Sequence, residues 1–193
     1  MEKKKLVLAS GNNHKIKEIS QMLPEYEVVG YKSLGADFEI EENGSTFYEN
    51  ALIKAKTVAE YHNLPCLADD SGICVDVLNG APGIYSARYA GDGIDEHNNQ
   101  LLLKNLENEK NRKAKFVCCM VFYSPNGKII TATGETLGEI LFAPQGENGF
   151  GYDPIFYSYD LKKCLGVATD EEKNSISHRY RAIVGLKEKL SKE

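Results

Sequence analysis

No stretch of the sequence approaches the roughly 18 consecutive apolar residues that a membrane-spanning helix needs, and the opening MEKKK runs into a short strand pattern rather than the apolar core of a signal peptide. A cytoplasmic protein with no membrane partner is the expectation. Cysteine is sparse and unpatterned. Cys66, Cys74, Cys118, Cys119 and Cys164 are odd in number and make no CxxC pair, so neither a disulfide framework nor a zinc knuckle is indicated. Positive charge is also in deficit: 23 Lys and Arg stand against 28 Asp and Glu, a net charge of −5. That balance argues against a protein that wraps polymeric nucleic acid through its phosphates, and still leaves room for a small anionic ligand, which needs only a local cluster of donors. Internal repeats, low-complexity segments and domain-separating linkers are missing as well.

What is present suits a globular enzyme-sized unit. The 193 residues, 42% of them hydrophobic, are enough for a substantial core, and a single domain over residues 1–193, at most two tightly joined lobes, is expected. Lys5 to Ala9 reads as a strand, and Ile16, Ile19 and Leu23 recur at helical spacing up to Pro24. A short strand, Glu27 to Tyr31, follows. Ser45 or Thr46 can cap a longer helix whose Phe47, Ala51, Ala55, Val58 and Ala59 form one apolar stripe. "CLADDSGICVDVL" reads as two apolar runs around a central turn, hairpin-like or bent. "KFVCCMVFYSPNGKIITATGE" is a hairpin closed by Pro-Asn-Gly. A Gly-rich loop, "PQGENGFGYDPIF", and a basic amphipathic helix from about Ser177 complete the plan. The mixture predicts an α/β or α+β protein with a mixed sheet.

Several stretches could carry chemistry. In "LASGNNHKIKEIS" a strand delivers Ser10, Gly11 and Asn12 to a helix start, where unsatisfied amides and the helix dipole favour an anion, with Lys15 one turn in. Taken alone, the same residues also read as a plain helix cap with a solvated lysine. Carboxylates gather at Glu39, Glu41, Glu42, Glu49, Asp69 and Asp70, and hard oxygens without Cys or His suit Mg²⁺. The adjacent Asp69 and Asp70 must repel each other unless a turn exposes them or a cation compensates. "GAPGIYSARYAG" specifies a shaped loop with Arg88 as its one cation. In "NGFGYDPIF", Phe150 and Tyr152 offer either stacking faces or core rings. His178, Arg179 and Arg181 fall near the positive end of the last helix, which calls for a compensating carboxylate, carbonyl or phosphate.

Together, "SGNNHK", "FYENALIKA", "LADDSGICVDVLNGAPGIYSARYAG", "GFGYDPIF" and "EEKNSISHR", in order from Ser10 to about Ala182, resemble the inosine triphosphate pyrophosphatase family. The resemblance implies an elongated mixed β-sheet flanked by helices, two lobes around a central active-site cleft, and a homodimer. It implies Mg²⁺-dependent hydrolysis of deaminated purine nucleoside triphosphates (ITP, dITP, XTP) to monophosphate and pyrophosphate, cleansing the nucleotide pool. Carried over by position, phosphate binding falls on Ser10, Gly11, Asn12, Asn13, His14 and Lys15. The metal falls on Glu42 and Asp70, with Asp70 also in the proton-acceptor position and Ser71 as a substrate contact. Base binding falls on Phe150, Gly151, Tyr152, Asp153, Lys173, His178 and Arg179. Two other readings are a Maf-like nucleotide pyrophosphatase, which should lack the SHR base-binding stretch, and a catalytically silent nucleotide-binding module, which has no use for Asp70 and a metal partner.

Overall fold

Apolar period-2 runs and capped helical stripes alternate along the chain, and the computed structural model turns them into an α/β architecture. It describes residues 3–192; Met1, Glu2 and Glu193, at the ends of the expected 1–193 domain, lie outside the described residues. The elements are β1 Lys4–Leu8, α1 Asn13–Met22, β2 Tyr26–Gly30, α2 Phe47–His62, β3 Cys66–Val75, α3 Asp95–Asn105, β4 Lys113–Tyr123, β5 Ile129–Ile140, β6 Phe156–Ser158, β7 Lys163–Cys164, α4 Asp170–Ile176 and α5 His178–Leu190. The seven strands form one sheet in the order β2-β1-β3-β4-β5-β6-β7. β1 pairs in parallel with β2 and β3, whereas β5–β6 and β6–β7 are antiparallel, so the sheet is mixed as expected.

The chain divides into two compact units. One comprises the chain up to Asp70, Cys118–Gly134 and the segment from Arg181 onward; the other comprises Ser71–Val117 and Glu135–Tyr180. In the first unit strand alternation builds two apolar layers. Val7, Ala9, Cys66, Ala68, Cys119 and Val121 pack with Ala51, Ala55, Val58 and Ala59 of α2. Leu6, Leu8, Leu67, Cys118 and Met120 pack with Ile19 of α1 and with Ala182, Ile183 and Leu186 of α5. Each Val, Leu, Ile or Met side chain so buried contributes about 1.5–3 kcal/mol. The second unit has its own core around Ile73, Val75, Leu102, Phe116, Ile155 and Phe156.

α2 begins where its cap predicts. Thr46 Oγ1 accepts the Glu49 amide at 3.1 Å, and the Glu49 carboxylate returns to the Ser45 amide and hydroxyl. The helix ends at Asn63, whose φ of 52° is the left-handed closing conformation. The β4–β5 hairpin closes as expected, with the Ser124 amide on the Lys128 carbonyl and the Gly127 amide on the Ser124 carbonyl.

One expectation changes. "CLADDSGICV" contains no turn; it is the single ten-residue strand β3. Asp, Ser and Gly favour turns in isolation, but here the carboxylates find cations on flanking helices. Gly72 also permits a close approach that a side chain would forbid: a Cβ there would stand 2.2 Å from the Gly83 carbonyl oxygen and 2.5 Å from Ser86 Oγ.

Candidate active site

Alternation along β3 explains how two consecutive aspartates are tolerated, both of them buried. Asp70 shares the parity of Cys66 and Ala68 and lies on the α2 side; Asp69 shares that of Leu67 and lies on the α1 side. Their carboxylates therefore diverge, and each meets its own lysine. Lys15 of α1 stands 3.1 Å from Asp69 Oδ2. Lys54 of α2 stands 3.4 Å from Asp70 Oδ1 and 2.9 Å from Glu42 Oε2. The cation anticipated as compensation for the pair is thus supplied twice by the protein itself.

Asn50, one turn before Lys54, donates to Asp70 Oδ2 at 3.3 Å and accepts the Gly44 amide at 2.8 Å, which ties the Glu42–Gly44 loop to β3. Burial pushes the Asp70 carboxyl up to about 6; Lys54 and Lys15 restrain that rise, while Glu42 and Asp69 add to it. Burial draws the Lys54 ammonium down, but Asp70, Asp69 and Glu42 outweigh it and hold the lysine above its usual value. Lys54 and Asn50 were not among the residues expected in the site. Their signal was a lysine and an asparagine inside the buried stripe of α2, between Phe47 and Val58.

The Ser10–Lys15 stretch forms the β1–α1 junction. Asn12 is the helix cap, its Oδ1 accepting the amides of His14 and Lys15 at 2.9 and 3.2 Å, and Ser10 Oγ accepts the Asn12 amide. Gly11, Asn12, Asn13 and His14 are exposed. Lys32 adds a further cation, its side chain in ordinary contact distance of any Cβ placed on Gly11.

A second cluster lies within the second unit. Asp153 Oδ2 accepts the Phe150 amide at 3.0 Å and pairs with Lys173 Nζ at 2.6 Å, both side chains of the ion pair being at most 5% exposed. Lys173 Nζ lies 4.6 Å and Arg179 Cζ 5.9 Å from the centre of the Phe150 ring. Arg179, 2% exposed, donates to Ser71 Oγ at 2.9 Å. His178 stacks on Phe116 with ring centres 4.9 Å apart. Arg179 at the start of α5 thus meets a hydroxyl and an aromatic face, His178 an aromatic ring, and Ser177 Oγ accepts the Tyr180 amide as the expected cap. The Tyr152 ring belongs to the core, its hydroxyl donating to the Ser86 carbonyl at 2.6 Å, so Phe150 alone of the two offers a half-buried face.

The residues expected to hold a metal fit a hard divalent ion. Glu42 and Asp70 converge on one cationic position, that of Lys54 Nζ. Among the described residues no group of three or more His, Cys, Asp or Glu forms a closed cage. Two carboxylates suit Mg²⁺, which completes its shell with water and substrate phosphates, better than a metal that wants a full protein shell. Among the same residues no helix is long and apolar enough to cross a membrane.

Residues 6–189 match the Ham1 family. A relative from Clostridium perfringens, named dITP/XTP pyrophosphatase, is 46% identical with 97% of each chain covered. One from Treponema denticola with the same name is 46% identical, covering 94% of this chain and 96% of the relative. Among solved structures, the Staphylococcus aureus Ham1 protein superimposes with a TM-score of 0.87 at 46% identity, covering 97% of this chain and 98% of that one. A HAM1 protein from Coxiella burnetii gives 0.88 at 39% identity, covering 98% and 100%.

Proposed function

Because the chain belongs to the Ham1 family, we propose that it hydrolyses deaminated purine nucleoside triphosphates, dITP, XTP and ITP, to the monophosphate and pyrophosphate. The observation that carries this reading is the meeting of Glu42, Lys54 and Asp70 around one point, with Asp69, the preceding residue of β3, paired to Lys15 of α1. Relatives named for dITP and XTP supply the substrate class.

Lys15, Lys54 and the exposed residues of the β1–α1 junction, at the positive end of the α1 dipole, bind and orient the phosphates. A carboxyl that titrates near 6 is suited to a base at neutral pH, and Asp70 takes the attacking water's proton on a carboxylate oxygen. A magnesium ion held by Glu42 and Asp70 would supply neutralisation of charge on the phosphates when bound. Phe150 stacks on the base while Arg179, Lys173 and His178 present donors to its edge. A 6-oxo group accepts from those donors, whereas a 6-amino group leaves them stranded at about 1–3 kcal/mol each, which selects inosine over adenine. A homodimer working in the cytoplasm, clearing such nucleotides before polymerases use them, is part of the same proposal.

The test is to supply dITP, XTP, ITP, dGTP, dATP and dTTP with Mg²⁺ and to identify the products. Pyrophosphate from the first three, abolished by chelation and by Asp70→Asn, is the expected result. Orthophosphate release, or a preference for dTTP, would overturn the reading. Arg179→Ala should reduce the preference for dITP over dATP; an unchanged preference removes Arg179 from base selection.

A further inference from the structure

Helix α3 offers an arrangement that neither the phosphate cluster nor the base donors explain. Asp95, Asn98 and Asn99 fall at positions i, i+3 and i+4 and share one face of the helix. All three are turned to the backbone of other segments. Asp95 Oδ2 accepts the Gly151 amide at 2.8 Å, and Asn99 Nδ2 donates to the Gly151 carbonyl at 3.1 Å. Both main-chain polar groups of one residue are therefore held by one helix. Asn98 accepts the Ala90 amide at 2.7 Å and donates to the Ala87 carbonyl at 3.2 Å.

Gly151 is the residue where such a grip matters most. Its φ of 61° is a left-handed conformation that glycine enters and leaves at little cost. It separates Phe150, whose ring faces Lys173 and Arg179, from Tyr152, which is anchored in the core and to Ser86. Rotation about Gly151 would swing Phe150 relative to that anchor. Asp153 already fixes the Phe150 amide from the other side. Asn99 is 92% buried, yet among the described residues its Oδ1 has no hydrogen-bond partner. A leucine there would fill the same space and remove the unpaired oxygen, but it would leave the Gly151 carbonyl without its donor, so the bond that Nδ2 makes is what the amide adds beyond packing.

We propose that Asp95 and Asn99 are positioning residues for base selection: by holding both backbone groups of Gly151 they fix the presentation of the Phe150 face to the purine. The consequence for catalysis rests on the function proposed above. Neither residue touches the substrate.

The experiment compares Asp95→Ala, Asn99→Leu and Asp95→Asn with the wild type in two measurements. Amide hydrogen exchange of the 148–153 segment, read without nucleotide, tests the grip itself. Steady-state kinetics with dITP and dATP tests its consequence. Asp95→Ala and Asn99→Leu should speed exchange in this segment by about tenfold. They should raise KM for dITP and cut the dITP-to-dATP ratio of kcat/KM by about tenfold, with kcat for dITP within about twofold. Asp95→Asn, whose amide oxygen still accepts from Gly151, should restore both. Unchanged exchange, or faster exchange with an unchanged ratio, would overturn the proposal, as would a loss confined to melting temperature. A wild-type protein that does not prefer dITP would overturn the proposed function instead, and exchange would still decide whether α3 holds Gly151.

Discussion

Replacing Asp70 by Asn should abolish turnover and yet make the metal-free protein more stable at neutral pH. In the fold the Asp70 carboxyl is pushed from the ordinary 3.8 to about 6, burial outweighing the attraction of Lys54 and Lys15. A carboxyl whose pKa rises on folding holds a proton that the unfolded chain gives up. Its contribution is therefore present below about pH 4 and lost as pH climbs through about 6. At about 1.4 kcal/mol per pH unit, the ionised side chain costs the folded state about 3 kcal/mol at neutral pH. Asparagine carries no charge to desolvate, but its amide donors would confront Lys54 and Asn50, which costs about 1 kcal/mol. A net gain of about 2 kcal/mol remains. Urea unfolding with a chelator present, at about pH 4.5 and about pH 7.5, measures it. The advantage of the variant should be larger by about 2 kcal/mol at the higher pH, a difference in which the amide mismatch cancels. A variant that is less stable than wild type at about pH 7.5, and no better there than at about pH 4.5, would refute the reasoning: the lysines would then outweigh burial, and Asp70 would be an ordinary ion-pair partner.

Lys54→Met leaves Glu42 and Asp70 facing each other without their shared cation; it should cost about 3–5 kcal/mol in urea unfolding, and Asp70→Asn in the same chain should recover part of the loss. If the two changes are additive, the pair does not interact as described. Gly72→Ala should destabilise by about 1–3 kcal/mol, read as a lowered Tm, because the new Cβ meets the Gly83 carbonyl rather than a yielding side chain; an unchanged Tm would contradict the close approach. Burial pushes the Cys66 thiol up to about 12, so at about pH 8 an aryl disulfide reagent should leave it unmodified in the native protein, and Cys66→Ser should not alter the native labelling rate.

The sequence was legible where local and tertiary preferences agree. The alanine-rich stripe of α2 and the Pro-Asn-Gly hairpin announce themselves because cap, period and turn residues all point one way. β3 did not, because Asp69, Asp70, Ser71 and Gly72 are turn formers by local chemistry; Lys15 and Lys54, 54 and 16 residues away, decide that the chain stays extended. α3 gave little signal either. Its "DEHNNQLLLKN" is polar on most faces, and its asparagines are committed to loops distant in sequence. Lys54 escaped notice for the opposite reason: it sits among the alanines that made α2 easy to read. The remaining expected positions came from the resemblance, and the geometry then separated Phe150, a half-buried face, from Tyr152, a core ring.

Strand parity has one more consequence, for what the chain can tolerate over generations. Two neighbouring acids on β3 answer to different helices only because each step along a strand reverses direction. Gaining or losing a single residue between Cys66 and Asp70 would exchange those allegiances, sending the Lys54 acid toward Lys15 and inverting the apolar layers with it. Length changes should therefore accumulate in the Ser124–Lys128 turn and be absent from this stretch, even where side-chain identities drift.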